Sequence, residues 1–224
     1  MILFVNSKLK LLAALLVCVG LMAGGTFQTV SAAQKTESTS ESQSSKNDVS
    51  NFKLTNHFGS KASLSDYKGK VVVLLFGYTH CPDICPTQLN DMQKVLDKLG
   101  DDADQIQVVF ITFDPERDTP KVLKDYLAFF NPSFVGLTGT KEEIASVAQQ
   151  FNVIYMKREV KSKAGYLMGH SSVIYVLDPL SKMYKWYMQN IQNPSSTVDK
   201  IAEDIQKLLK EYREYNKNLK KSAL

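Results

Sequence analysis

Six apolar residues in a row, Val71-Val72-Val73-Leu74-Leu75-Phe76, run directly into Gly77-Tyr78-Thr79-His80-Cys81-Pro82-Asp83-Ile84-Cys85-Pro86. A β-branched and apolar run of that length is the pattern of a strand buried on both faces, which requires a sheet covered by helices. The residues that follow suit this. Leu89, Met92, Val95, Leu96 and Leu99 recur at helical spacing, and Pro86 fits a first helical turn. Two cysteines therefore lie where a buried strand becomes a helix.

The alternation continues along the chain. Residues 107–113 read as a strand, 114–120 as a loop, 122–130 as a helix stopped by Asn131-Pro132, and 134–137 as a short strand. Thr140 and Glu143 form a capping box that opens a helix running to about 151. Residues 153–160, 172–177 and 184–188 read as strands, the last two joined by the turn Asp178-Pro179-Leu180-Ser181. A final helix carries Val198, Ile201, Ile205, Leu208, Leu209 and Tyr212 on one face, and the basic tail from Lys217 to Lys221 is expected to fray. Near the start, residues 52–64 alternate weakly around Asn56-His57-Phe58-Gly59, a hairpin-like pattern. Strands alternating with helices, plus a late tight turn between strands, predict an α/β domain with a mixed central sheet flanked by helices.

Composition bounds the rest. With 224 residues, 44% hydrophobic and 22% charged, the chain suits one packed core and excludes wholesale disorder or a polytopic membrane protein. A net charge of +4 without a long single-sign block gives no compositional support for binding nucleic acid. Lys8 and Lys10 precede an apolar stretch from Leu11 to Met22, and Val30 with Ala32, or Ser31 with Ala33, would suit a signal peptidase. Residues 1–33 are thus expected to be a signal peptide or an N-terminal membrane anchor, the run to Phe27 lying at the short end of what crosses about 30 Å of hydrocarbon. The domain would then lie on the outer face of the cytoplasmic membrane. Cys18 follows Leu16 and Val17 instead of a small residue, so it reads as part of the apolar run and not as a lipidation site. Residues 34–50 hold almost no apolar side chains and form a flexible polar linker, leaving 51–215 as the folded domain and 216–224 as a basic tail.

Cys81 and Cys85 carry the chemistry. If one helical turn holds both, four-residue spacing puts the sulfurs on one face, close enough to bridge or share a metal. The helix N-terminus favours the thiolate, the form that attacks disulfides and ligates soft metals. An inert structural disulfide is the rival, but a loop this short removes little chain entropy and makes a weak staple. A metal needs a third ligand, and the histidines are His57, His80 and His170. His57 lies in a polar turn and reads as a solvated surface residue. His80 adjoins Cys81, but sequence neighbours tend to point apart, so it reads as a bystander. His170 sits immediately before a predicted strand, at a mouth where its loop can face the cysteines. Two thiolates and one imidazole suit Cu(I), with room for a further ligand on Cu(II), and the same donors with an open position also suit zinc.

The run Phe76-Gly77-Tyr78-Thr79-His80-Cys81-Pro82-Asp83-Ile84-Cys85-Pro86-Thr87, the later Asp114-Pro115-Glu116-Arg117-Asp118-Thr119-Pro120, and His170-Ser171 ahead of Leu177-Asp178-Pro179 resemble the Sco/SenC family. The resemblance spans nearly all of residues 51 to 215. It implies a thioredoxin-like fold and copper held by Cys81, Cys85 and His170. It also implies a role in assembling the dinuclear copper centre of cytochrome c oxidase, with the oxidase's copper-site subunit as partner and a copper donor or thiol reductant upstream. Asp83 and Asp114 match family positions and are expected to support the site without ligating metal. Many members carry an acidic residue before the histidine, where this chain has Gly169. The loop expected to face the cysteines lacks the cis-proline of thioredoxins, and no cysteine takes the peroxiredoxin position. The alternative is an extracytoplasmic thiol-disulfide oxidoreductase that reduces the partner's metal-binding cysteines, with Cys81 and Cys85 as its catalytic redox pair.

Overall fold

In the computed structural model, which describes residues 49–161, 165–190 and 192–222, the apolar run forms β3 (Val71–Gly77), buried along its whole length. It lies inside a seven-stranded sheet with β1 (Lys53–Asn56), β2 (Lys61–Ser63), β4 (Ile106–Thr112), β5 (Val135–Thr138), β8 (Val173–Leu177) and β9 (Met183–Met188), ordered β2-β1-β5-β4-β3-β8-β9. β3, β4 and β5 are parallel, while β8 pairs antiparallel to β3, so the sheet is mixed as expected. The helices α1 (Ile84–Leu99) and α2 (Pro120–Ala128) supply the parallel crossovers, and α3 (Lys141–Gln150) and α4 (Pro194–Ser222) complete the layers. The signal or anchor expected at 1–33 and most of the linker expected at 34–50 lie outside the described residues. Among those described, no helix is long and apolar enough to cross a membrane.

The local signals act as their chemistry dictates. Thr140 accepts the Glu143 amide at 3.1 Å while the Glu143 carboxylate accepts the Thr140 amide at 2.9 Å, closing the capping box at α3. Thr119 caps α2 by accepting from the Val122 amide, with Pro120 at the first helical position. Helices cover both faces of the sheet. Leu75 is in register with Phe110 and Ile174, and that face meets Cys85 of α1, Tyr126 of α2 and, through Tyr187, Asp204 of α4. Phe76 and Tyr175 point to the other face, against Phe151 at the end of α3.

Three expectations are corrected. Residues 165–170 are not a loop: Tyr166–His170 forms β7, which pairs with β6 (Tyr155–Glu159) as a separate two-stranded sheet. His57 is buried, because its turn folds against β5 and its Nδ1 accepts the Gly136 amide at 2.9 Å. The tail expected to fray from Lys217 continues α4 to Ser222, since its lysines and Leu219 are good helix formers and extend a helix already under way.

Candidate metal centre

α1 begins at Ile84, with Asp83 as its N-cap residue, and Pro86 falls in the first turn where no intrahelical amide bond is needed. Cys85 is therefore on the helix. Cys81 is not, contrary to a first turn holding both: it closes a turn through its amide to the Tyr78 carbonyl at 3.2 Å. The two sulfurs still converge because that turn folds back over the helix start. Cys85 is 1% exposed and Cys81 9%, and both are free thiols.

His170 arrives from the opposite side, on the last residue of β7. The β6–β7 hairpin is held to the sheet by several contacts. Tyr155, in register with His170, stacks on Phe113 at 5.1 Å, and the Met168 amide donates to the Tyr78 hydroxyl at 3.2 Å. The imidazole packs against Phe113 and Tyr78, ring centroids 4.9 and 5.9 Å away. Its Nδ1 lies 3.0 Å from the Ser171 carbonyl, so Nδ1 carries a proton and donates, leaving Nε2 to face the sulfurs. Nε2 lies 3.9 Å from Cys81 Sγ and 3.6 Å from Cys85 Sγ.

These separations decide what the trio can hold. With bonds of about 2.3 Å to sulfur and about 2.0 Å to nitrogen, a trigonal first-row ion keeps sulfur and nitrogen roughly 3.7 Å apart. The two observed distances bracket that figure, and all three donor atoms lie within 4.8 Å of one another. Two sulfurs and one imidazole form a soft donor set, which favours copper over hard cations.

The electrostatics already separate the two thiols. A hydrogen bond from Cys85, joined by contacts from His170 and the Asp83 and Cys85 backbone, holds the Cys81 thiol well below its usual range. The same bond, burial and the neighbouring Cys81 charge push Cys85 up. Burial works against a charged His170, but the Cys81 sulfur and the Ser171 carbonyl outweigh it and the imidazole is raised. Before metal arrives, the site thus favours a Cys81 thiolate, with Cys85 donating its proton to it and the His170 imidazole drawn toward its charged form. Metal binding must release the proton on Cys85, and it needs His170 Nε2 free of one.

The remaining candidates separate cleanly. Asp114 sits beneath the hairpin, accepting from Arg117 Nε at 2.6 Å and from the Tyr166 hydroxyl at 2.6 Å, so it braces the site from outside the donor trio. Asp83 is the exposed N-cap residue of α1. Sequence reasoning passed over Asp118, which is fully buried and accepts from the Thr79 amide, the Thr79 hydroxyl and the Thr112 hydroxyl. It ties the loop before Cys81 to the loop after β4, and its place in the Asp114 to Pro120 motif was the available signal. A Cβ on Gly169 would meet Met156 Cγ at 3.6 Å, an ordinary contact, so space does not demand glycine there.

A mixed sheet flanked by helices, with a cysteine pair at the first crossover, defines a thioredoxin-like domain, here with a histidine brought against the pair. The model of the SCO1/SenC family matches residues 40–210, and the chain belongs to that family. It is 37% identical over 220 residues to the mitochondrial protein SCO2 of Saccharomyces cerevisiae, covering 94% of this chain and 71% of the relative. Of the SCO1 homolog 1 of Arabidopsis thaliana it spans about half the length, 47%. Among solved structures, it resembles Arabidopsis thaliana ScoI with copper bound, at 36% identity and a TM-score of 0.65, over 71% of this chain and 98% of the other. It also resembles BsSco, described as having a disulfide switch and as a member of the Sco family of cytochrome c oxidase assembly proteins. That match has 28% identity and a TM-score of 0.56, over 72% of this chain and 93% of the other.

Proposed function

We propose that this chain is a copper-binding assembly factor that delivers copper to the dinuclear copper site of cytochrome c oxidase. The observation that carries the reading is the convergence of Cys81, Cys85 and His170, from two distant parts of the chain, at the separations a three-coordinate soft ion requires. Copper is the cargo and the three side chains are its ligands. A low coordination number leaves the ion open to an incoming thiolate or imidazole, so copper can pass by ligand exchange without ever being free. The chain works outside the cytoplasmic membrane, tethered or released by its N-terminal segment, and its client is the copper-bearing subunit of the oxidase.

The asymmetry of the thiols favours a second activity at the same site. A thiolate at Cys81 with a proton held on Cys85 is the arrangement of a disulfide reductase. Cys81 would attack the client's disulfide and form a mixed disulfide. Cys85, losing its proton, would then displace the client's thiol and leave Cys81 and Cys85 bridged. Two electrons pass to the client, and an external thiol must restore the pair.

An anaerobic copper titration of the reduced full chain, in parallel with His170→Ala, tests the first reading. Tight one-to-one binding that drops on losing His170 is expected. Binding indifferent to His170 would remove it from the ligand set, and failure to bind would leave the reductase reading.

A further inference from the structure

His80 adjoins a ligand cysteine, yet it lies outside the donor trio and was read from sequence as a bystander. Its surroundings are more specific than that. The Thr79 hydroxyl sits 2.5 Å from Asp118 Oδ1 and donates to it, the ionised carboxylate being an acceptor only. That leaves the Thr79 oxygen as acceptor toward His80 Nδ1, 3.1 Å away, so Nδ1 carries the proton. Asp118 cannot shift to relax this chain, since it is fully buried and also anchored by the Thr79 amide and the Thr112 hydroxyl. With Nδ1 protonated, the lone pair of the neutral ring is on Nε2, which meets no partner among the described residues, on a side chain 46% exposed.

His170 repeats the same device: its Nδ1 is tied to a neighbouring oxygen and its Nε2 is left to coordinate. A ligating histidine characteristically donates its other ring nitrogen to a carboxylate or carbonyl, which fixes tautomer and orientation. His80 has that support through Thr79 and Asp118, in the residue before Cys81, with its Nε2 unpartnered and its side chain half in solvent.

We propose that His80 is a transient copper ligand that first captures the ion from its carrier and passes it inward to Cys81. The proposal rests on the copper reading above. A bond from copper to His80 Nε2 forms as one from copper to the carrier breaks. The Cys81 thiolate then displaces the imidazole, and Cys85 and His170 complete the site, the Cys85 proton going to solvent. No electron moves. A transient ligand lowers the barrier for transfer without adding to the final site, so its loss slows uptake at constant affinity.

The test follows Cu(I) leaving its coloured complex with bicinchoninate for the reduced full chain in stopped flow, with the equilibrium partition measured on the same samples. For His80→Ala we expect uptake at least tenfold slower and an affinity within twofold of wild type. Thr79→Val, which keeps the imidazole but removes its orienting acceptor, should fall between the two. Uptake by His80→Ala within twofold of the wild-type rate overturns the proposal, and so does an affinity that falls in step with the rate, because His80 would then be a resident ligand. If the wild-type chain takes no copper, the copper reading itself fails; if it does and only the His80 result is negative, this inference fails alone.

Discussion

The Tyr166 hydroxyl donates to Asp114 Oδ1 at 2.6 Å, joining the strand that carries His170 to the loop that follows β4. The Arg117 guanidinium lies 3.6 Å from the centre of the Tyr166 ring, donates to Asp114 Oδ2, and reaches the Tyr166 carbonyl at 3.1 Å. The hairpin is thereby buckled to the sheet at the end opposite His170. For Tyr166→Phe, which keeps the ring but loses the hydroxyl, we expect copper affinity to drop about fivefold, the equivalent of one net hydrogen bond of about 1 kcal/mol. Disulfide formation between Cys81 and Cys85 should proceed at the wild-type rate. A chelator competition giving wild-type affinity would show that the buckle does not position His170.

Gly77 ends β3 where the chain has no room for a side chain. A Cβ there would stand 2.6 Å from the Phe110 ring and 2.7 Å from Cys85 Sγ. Gly77→Ala must therefore displace Cys85, the ring or the strand. We expect a stability loss of about 1–3 kcal/mol, the usual cost of overpacking, together with weaker copper binding than stability alone explains. Thermal melting of the metal-free protein and a copper titration separate the two effects. A variant that melts and binds as wild type would refute the close approach.

These contacts show why part of the site was legible in the sequence and part was not. β3, α1 and the α3 capping box are dictated by neighbours a few residues apart, so apolar run length, helical period and the Thr140 to Glu143 spacing declare them. β7 is held by Tyr78, Asp114 and Arg117, residues about 50 to 90 positions away, and its own Tyr-Leu-Met-Gly-His shows neither alternation nor a β-branched run. His57 was misread for the same reason: its local sequence is polar, and only the fold brings Gly136 to its ring. The position of the cysteine pair was legible because the strand-to-helix junction fixes Cys85 and a turn at its edge fixes Cys81, whereas the placement of His170 beside them depends on β7.

The two thiols differ in exposure and in proton affinity, and both differences favour Cys81 as the nucleophile. Limiting iodoacetamide applied to the reduced, metal-free chain at neutral pH should label Cys81 at least tenfold faster than Cys85, read by peptide mass spectrometry. In Cys85→Ala, which removes the hydrogen bond that chiefly lowers Cys81, a moderate rise in the Cys81 thiol pKa is expected. Equal labelling of both residues in the parent would contradict the assignment of attacking and resolving roles.

His57 gives the fold a pH dependence that is independent of the metal site. Burial, and then the charge of Lys124, lower its proton affinity, and its neutral Nδ1 accepts the Gly136 amide that sets β1 against β5. A histidine whose folded pKa is depressed leaves stability intact above its unfolded value of about 6.5. As the pH falls below that value the unfolded chain takes up a proton that the folded one refuses, so stability is lost until the folded pKa is passed. The other titrating groups are common to wild type and His57→Gln, so the difference between the two isolates this contribution. Urea unfolding of the metal-free chain should show the wild-type advantage over His57→Gln shrinking between pH 7.5 and 5.5. An advantage that stays constant or grows on acidification would mean that the buried ring is not neutral, and the hydrogen bond to Gly136 would have to be reassigned.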